Sequence, residues 1–115
     1  MNVKNNKRRR ESQEKIERAF IELLQTHDIK EMTVSDIIKN TGLNRSTFYA
    51  NYIDIFDLAD KTREKLENEF SNLFADYDYF NEGSGALKMF THIKENQLFY
   101  KTYFKLCYDD RHLVS

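Results

Sequence analysis

The chain has 115 residues, of which 32% are charged, and its formal net charge is −1. A chain of this length can build one compact unit or a small domain with a short extension. It contains no proline and only three glycines, and it has no apolar run near the ~20 residues needed to cross a bilayer. Together with apolar residues at helical spacing, this composition predicts an all-α protein that does not enter a membrane.

Charge is distributed unevenly along the chain. Residues 1–53 contain ten Lys/Arg against seven Asp/Glu, whereas the remainder contains eight against twelve. Residues 1–10 carry no acid at all and are predicted to form a basic arm that includes Arg8, Arg9 and Arg10, a charge pattern suited to contact with phosphates. The alternative is a solvated, disordered tail of the kind common at N-termini.

A first amphipathic helix is predicted from about Ser12 to His27. Its apolar residues recur at i, i+3, i+4, i+7 and i+8, which is the spacing of one helical stripe. The stripe indicates a surface that faces a core, and it offers no cofactor site. Its members are Ile16, Ala19, Phe20, Leu23 and Leu24.

Two short helices joined by a glycine turn are predicted next. Thr33 is a favourable N-cap for the first, and Asp36 places an acid in its first turn, where the helix dipole favours one. Gly42 supplies the left-handed residue that ends a helix, and Asn44 can cap the second. This layout is typical of a helix-turn-helix, although helix–glycine–helix corners also occur in proteins that bind no DNA.

The second short helix is predicted to turn Phe48 and Tyr52 inward, since they lie at i, i+4. Its outer side then consists mainly of side chains that donate hydrogen bonds to phosphates and base edges. The basic residues upstream favour DNA binding over a plain helical corner. The outward residues are Arg45, Ser46, Thr47, Tyr49, Ala50 and Asn51.

Over roughly Glu11 to Phe74, the sequence resembles the DNA-binding domain of the tetracycline-repressor (TetR/AcrR) family of bacterial transcription regulators. Several features carry the resemblance in order and at fixed spacing, although none is specific alone. They are the first amphipathic helix, Thr33-Val34-x-Asp36-Ile37, Gly42-Leu43-Asn44, Thr47-Phe48-Tyr49, Tyr52 and Asp54-x-x-Asp57-Leu58.

The resemblance implies a three-helix DNA-binding head at residues 11–74, joined by a long fourth helix to a truncated helical regulatory or dimerisation region at 75–115. It further implies a cytoplasmic transcription regulator, expected to be a repressor, that reads a palindromic operator in double-stranded DNA as a homodimer. The expected DNA contacts are Thr33, Arg45, Ser46, Thr47, Tyr49 and Asn51, together with Arg8, Arg9 and Arg10.

Eleven of the sixteen aromatic residues follow residue 69. Two interpretations stay open for them: a pocket for a small-molecule effector, and a hydrophobic core or dimer face, which is favoured because aromatic residues dominate cores and interfaces. A dimer contact is predicted at or beside Phe99, Tyr103, Phe104 and Leu106.

No His or Cys pair has metal-ligand spacing, and no nucleophile motif or glycine-rich phosphate loop occurs. We therefore predict no enzymatic activity, no cofactor and no metal site. The single Cys107 precludes an internal disulfide, which fits a reducing cytoplasm. The alternative to a DNA-binding regulator is a non-enzymatic protein–protein module, a shortened family member that binds a partner regulator; the apolar pair Ile55-Phe56 suits that alternative.

Overall fold

The computed structural model describes residues 3–73 and 85–108. Every regular element in these residues is helical, which confirms the predicted all-α class. A 3-10 turn at Ile29–Glu31 lies between the first two helices. The helices are α1 (Val3–Leu24), α2 (Val34–Ile38), α3 (Arg45–Asn51), α4 (Ile55–Leu73), α5 (Gly85–Glu95) and α6 (Gln97–Cys107).

The chain divides into two units, Met1–Asp60 and Lys61–Ser115, with the division inside α4. In the first unit α1, α2 and α3 contact one another in every pairing. Their shared core contains three members of the predicted α1 stripe, whereas Ala19 and Leu23 are only partly buried, and it also contains the inward side chains of α2 and α3. Its most deeply buried members are Ile16, Phe20, Leu24, Ile37, Phe48 and Leu58.

Helix α1 begins earlier than the sequence predicted. The expected start was near Ser12, but the helix starts at Val3, so the predicted basic arm is helical from that residue onward. Lys and Arg are good helix formers, and no proline or glycine interrupts this stretch. The segment is therefore a continuation of α1 by more than two turns, with Lys7, Arg8, Arg9 and Arg10 all exposed.

In the second unit α6 buries side chains on two sides. Thr102 and Leu106, four residues apart, are 2% and 1% exposed. Tyr100, at 9%, lies on a different side of the helix, because two residues are rotated by about 200°. The Tyr103 hydroxyl donates a hydrogen bond to Glu67 Oε1 on α4 at 3.2 Å. Helix α4 also carries an Arg63–Glu67 ion pair of 2.8 Å.

The four α6 residues predicted at or beside a dimer contact differ in their exposure. Leu106 is buried within its own chain and cannot supply surface to a second copy, because helical spacing puts it on the inward face with Thr102. Phe99 and Tyr103 are half-buried, whereas Phe104 is 54% exposed. Part of the predicted regulatory region, residues 75–84 and 109–115, lies outside the described residues.

Two features are absent from the described parts of the chain. None of their helices combines the length and hydrophobicity required to cross a membrane. Nor do residues 3–73 and 85–108 bring three or more His, Cys, Asp or Glu side chains together as ligands for a metal ion.

Candidate nucleic-acid interface

The N-terminus of α2 is closed by a reciprocal pair of hydrogen bonds. The Asp36 backbone N–H donates to Thr33 Oγ1 at 3.1 Å, and the Thr33 N–H donates to Asp36 Oδ2 at 3.0 Å. This capping box satisfies two amides that have no partner inside the helix. The hydrogen bonds from Thr33 hold the pKa of Asp36 below its usual value. The predicted cap is confirmed, and the hydroxyl expected to contact DNA already accepts one hydrogen bond within the protein.

The turn between α2 and α3 depends on Gly42, whose φ is +76°. A Cβ atom at this position would meet no neighbouring atom within 4 Å, so the conformation alone favours glycine. Thr41 reinforces the turn, since its Oγ1 donates to the Ile38 carbonyl at 2.8 Å and accepts from the Leu43 N–H at 3.1 Å. The direction in which α3 leaves α2 is therefore set locally.

Asn44 caps α3, as predicted. Its Oδ1 accepts from the Thr47 backbone N–H at 2.9 Å and from the Thr47 hydroxyl at 3.0 Å. Thr47 is only half-exposed, and its hydroxyl proton is used by this cap. Of the predicted DNA contacts, Thr47 thus serves first to hold the start of α3.

Helix α3 is anchored by two rings. Phe48 is fully buried and Tyr52 is 6% exposed, with ring centroids 5.5 Å apart. Burial, with smaller contributions from the carboxylates of Glu17 and Asp57, raises the pKa of Tyr52 to about 12. The inward face predicted from the i, i+4 spacing is confirmed.

The opposite face of α3 is open. Arg45, Ser46, Tyr49 and Ala50 are all exposed. Half of the Tyr49 surface is accessible, and its ring centroid lies 5.3 Å from that of Phe48 in an edge-to-face arrangement. Arg45 and Tyr49 lie one turn apart, as expected. A contact that the sequence did not predict joins Arg45 Nη1 to Ser35 Oγ on α2 at 3.4 Å.

Asn51 does not lie on that open face. Its Oδ1 accepts from Arg9 Nε at 3.1 Å and from Gln13 Nε2 at 3.2 Å, and its Nδ2 donates to the Thr47 carbonyl at 2.8 Å. The amide predicted to contact DNA therefore links α3 to α1. Gln13 was missed, although it continues the inward stripe of α1 one turn before Ile16 and Glu17.

The candidate interface thus consists of the open face of α3 and the exposed cations of α1. A short helix held by a turn against a second helix, with Arg, Ser and Tyr side chains outward, is the layout of a helix-turn-helix. Such side chains donate to phosphates and to base edges in a major groove.

The chain is similar to the HTH-type dhaKLM operon transcriptional activator DhaS of Lactococcus lactis subsp. lactis (strain IL1403). The two are 32% identical over 99 residues, which cover 81% of this chain and 49% of that protein. The chain thus spans about half the length of the relative it matches. No protein-family model matches the chain, and no solved structure matches it.

Proposed function

We propose that this chain is a sequence-specific DNA-binding transcription regulator. The observation that carries the proposal is the face of α3 that displays Arg45, Ser46 and Tyr49 while Phe48 and Tyr52 fix the helix from behind. Similarity to a helix-turn-helix transcriptional activator supports the same class. In this function α3 lies in the major groove, where Arg45 reaches a base edge and Tyr49 a phosphate.

The electrostatics of α1 support a polyanionic partner. Its first turn contains no acid, and four consecutive cations, Lys7 to Arg10, lie near its N-terminus. DNA phosphates would neutralise them and release counterions.

The finer proposal is a regulator of the TetR/AcrR type that binds a palindromic operator as a homodimer. One helix-turn-helix reads too few bases to find a site in a genome, and two-fold pairing matches two half-sites. Exposed apolar side chains of α5 and α6, among them Phe90 and Phe104 at 70% and 54%, support self-association. The sequence predicted a repressor, whereas the similar protein is named as an activator. Expression from an operator–reporter fusion, with and without this chain, distinguishes repression from activation.

The test is titration of a fluorescent random-sequence duplex at a series of salt concentrations. Phosphate neutralisation predicts a log–log slope of about −0.9 for each contact. Selection from a random pool should then enrich an inverted repeat. Binding that is absent, or that does not change with salt, would contradict the proposal.

A second candidate is a protein–protein module without DNA binding. The exposed apolar residues favour it, including Ile53 at 80% and Leu87 at 67%, since large apolar side chains in contact with water often mark interfaces. The same titration separates the candidates, because a module of this kind would show no salt-dependent slope.

A further inference from the structure

The basic segment of α1 is attached to α3 through one amide side chain. Asn51 Oδ1 receives both Arg9 Nε and Gln13 Nε2, and these partners are 42 and 38 residues away in sequence. The other end of the amide is fixed as well, because Nδ2 donates to the Thr47 carbonyl one turn earlier in α3. The amide is thereby oriented by hydrogen bonds at both of its ends.

Arg9 is the basic residue that helical geometry places toward α3. Successive residues of a helix are rotated by about 100°, so Arg9, Gln13, Ile16 and Phe20 share one face. The last two of these are fully buried in the core of the first unit. Arg10 is rotated about 100° away from that face.

The bond to Asn51 uses the Nε–H of Arg9 and not the terminal amino groups of the guanidinium. Those groups carry four of its five donors, and their fork matches the oxygens of a phosphate. Arg9 remains exposed in spite of the bond. A hydrogen bond at such an exposed place contributes little to stability, so its main effect is to orient the guanidinium.

We propose that Asn51 is a positioning residue that holds the Arg9 guanidinium beside α3, so that α1 and α3 bind the phosphate backbone as one surface. The proposal rests on the proposed DNA-binding function. It replaces the direct DNA contact that the sequence predicted for Asn51. It also separates Arg9, whose contact depends on Asn51, from Arg10, whose contact does not.

The test compares Asn51→Ala, Arg9→Ala and their double variant in the full chain, by salt titration with duplex DNA. Each single change should reduce the magnitude of the log–log salt slope by about 0.9, the value for one phosphate. The double change should reduce it by no more than one single change does. Arg10→Ala is the matched control, because the contact made by Arg10 does not depend on Asn51. The double variant Asn51→Ala/Arg10→Ala should therefore reduce the magnitude of the slope by about 1.8, the value for two phosphates.

The role of Asn51 would be overturned if the reductions in salt slope for Asn51→Ala and Arg9→Ala added up in the double variant. It would also be overturned if Asn51→Ala left the slope unchanged. Absence of salt-dependent binding by the unaltered chain would contradict the proposed function instead. A DNA-free readout is the Arg9 Nε–H resonance, which should shift in Asn51→Ala and stay in place in Arg10→Ala; an unshifted resonance also overturns the proposal.

Should Asn51→Ala lose helical circular dichroism, Arg9→Lys provides the same test at an exposed position. It keeps the charge but lacks the Nε–H that Asn51 holds, so its slope should fall as far as that of Arg9→Ala. A slope equal to that of the unaltered chain would show that charge alone suffices and that positioning has no part.

Discussion

Side chains at the starts of α2 and α3 supply acceptors for backbone amides that have no partner inside the helix. Thr33 and Asp36 form a reciprocal pair, whereas Asn44 serves both the amide and the hydroxyl of Thr47. Helices of five and seven residues are too short to be stable alone, so caps and packing must maintain them.

Replacing Asn44 by Ala should lower the free energy of unfolding by about 1 kcal/mol, a typical value for a lost N-cap. Asn44→Asp retains an acceptor and should cost much less. Urea denaturation followed by circular dichroism measures both variants. Equal stability of Asn44→Ala and the unaltered chain would show that the cap contributes nothing.

Arg45→Ala tests base reading by α3. If Arg45 reaches a base edge, its loss should cost on the order of 1–3 kcal/mol in operator binding and relax the preference at one position. Lys94→Ala, which removes an exposed cation from α5, is the control and should leave affinity unchanged. Retained affinity with unaltered preference in Arg45→Ala would remove this residue from the base-reading set.

Tyr52 makes the stability of the first unit depend on pH in the alkaline range. Its pKa is about 12 in the folded chain against an ordinary 10.0, because burial disfavours the phenolate. The unfolded chain releases the Tyr52 proton near pH 10, whereas the folded chain retains it until about pH 12. The free energy of unfolding therefore has its full value below pH 10 and decreases as the pH rises toward about 12. Tyr52→Phe should therefore lose less stability over this interval than the unaltered chain, as measured by urea denaturation at each pH. If the free energies of unfolding of the two chains decreased in parallel with pH, Tyr52 would not be the cause.

At the scale of whole elements, α1 has two roles along one helix. Its later turns bury Ile16, Phe20 and Leu24, and its first turns carry exposed cations. Because the basic segment is helical, its cations have fixed angular positions relative to the core-facing stripe. A phosphate contact made from α1 therefore depends on how α1 packs against α3.

Replacing Arg8 and Arg10 by Gln should weaken binding to operator and random duplex by the same factor, since phosphate contacts carry no sequence information. The salt slope should decrease by up to about 0.9 for each residue, while the helix is retained because Gln is a good helix former. Deletion of residues 1–10 should act in the same direction. A change in discrimination between operator and random DNA would show that the segment also reads sequence.

For the whole molecule, Phe104 and Leu106 distinguish self-association from core packing. Phe104→Glu should shift the expected homodimer to a monomer in sedimentation at micromolar concentration and retain helicity, because Phe104 is largely exposed. Leu106→Ala should instead destabilise the second unit by about 2–5 kcal/mol, the usual cost of truncating a buried leucine. A monomeric unaltered chain would contradict the homodimer.

Features determined over a few residues could be predicted from the sequence. The caps at Thr33 and Asn44, the left-handed Gly42 and the burial of Phe48 were all predicted, and the structure confirms each one. The caps and the glycine conformation depend on side chains and backbone within one turn of each other, and the burial of Phe48 follows from its i, i+4 spacing with Tyr52. Helical periodicity likewise predicted the buried stripe of α1.

Other features were decided by the tertiary structure. The role of Asn51 depends on Arg9 and Gln13, which lie far away in sequence and meet it when α1 packs against α3. Leu106 could be assigned to a core or to an interface only once its burial was known. The sequence by itself determined where α2 and α3 are capped and which faces are apolar, because these depend on local chemistry. The structure decided which polar side chains remain available for a partner, because packing between distant helices uses some of them.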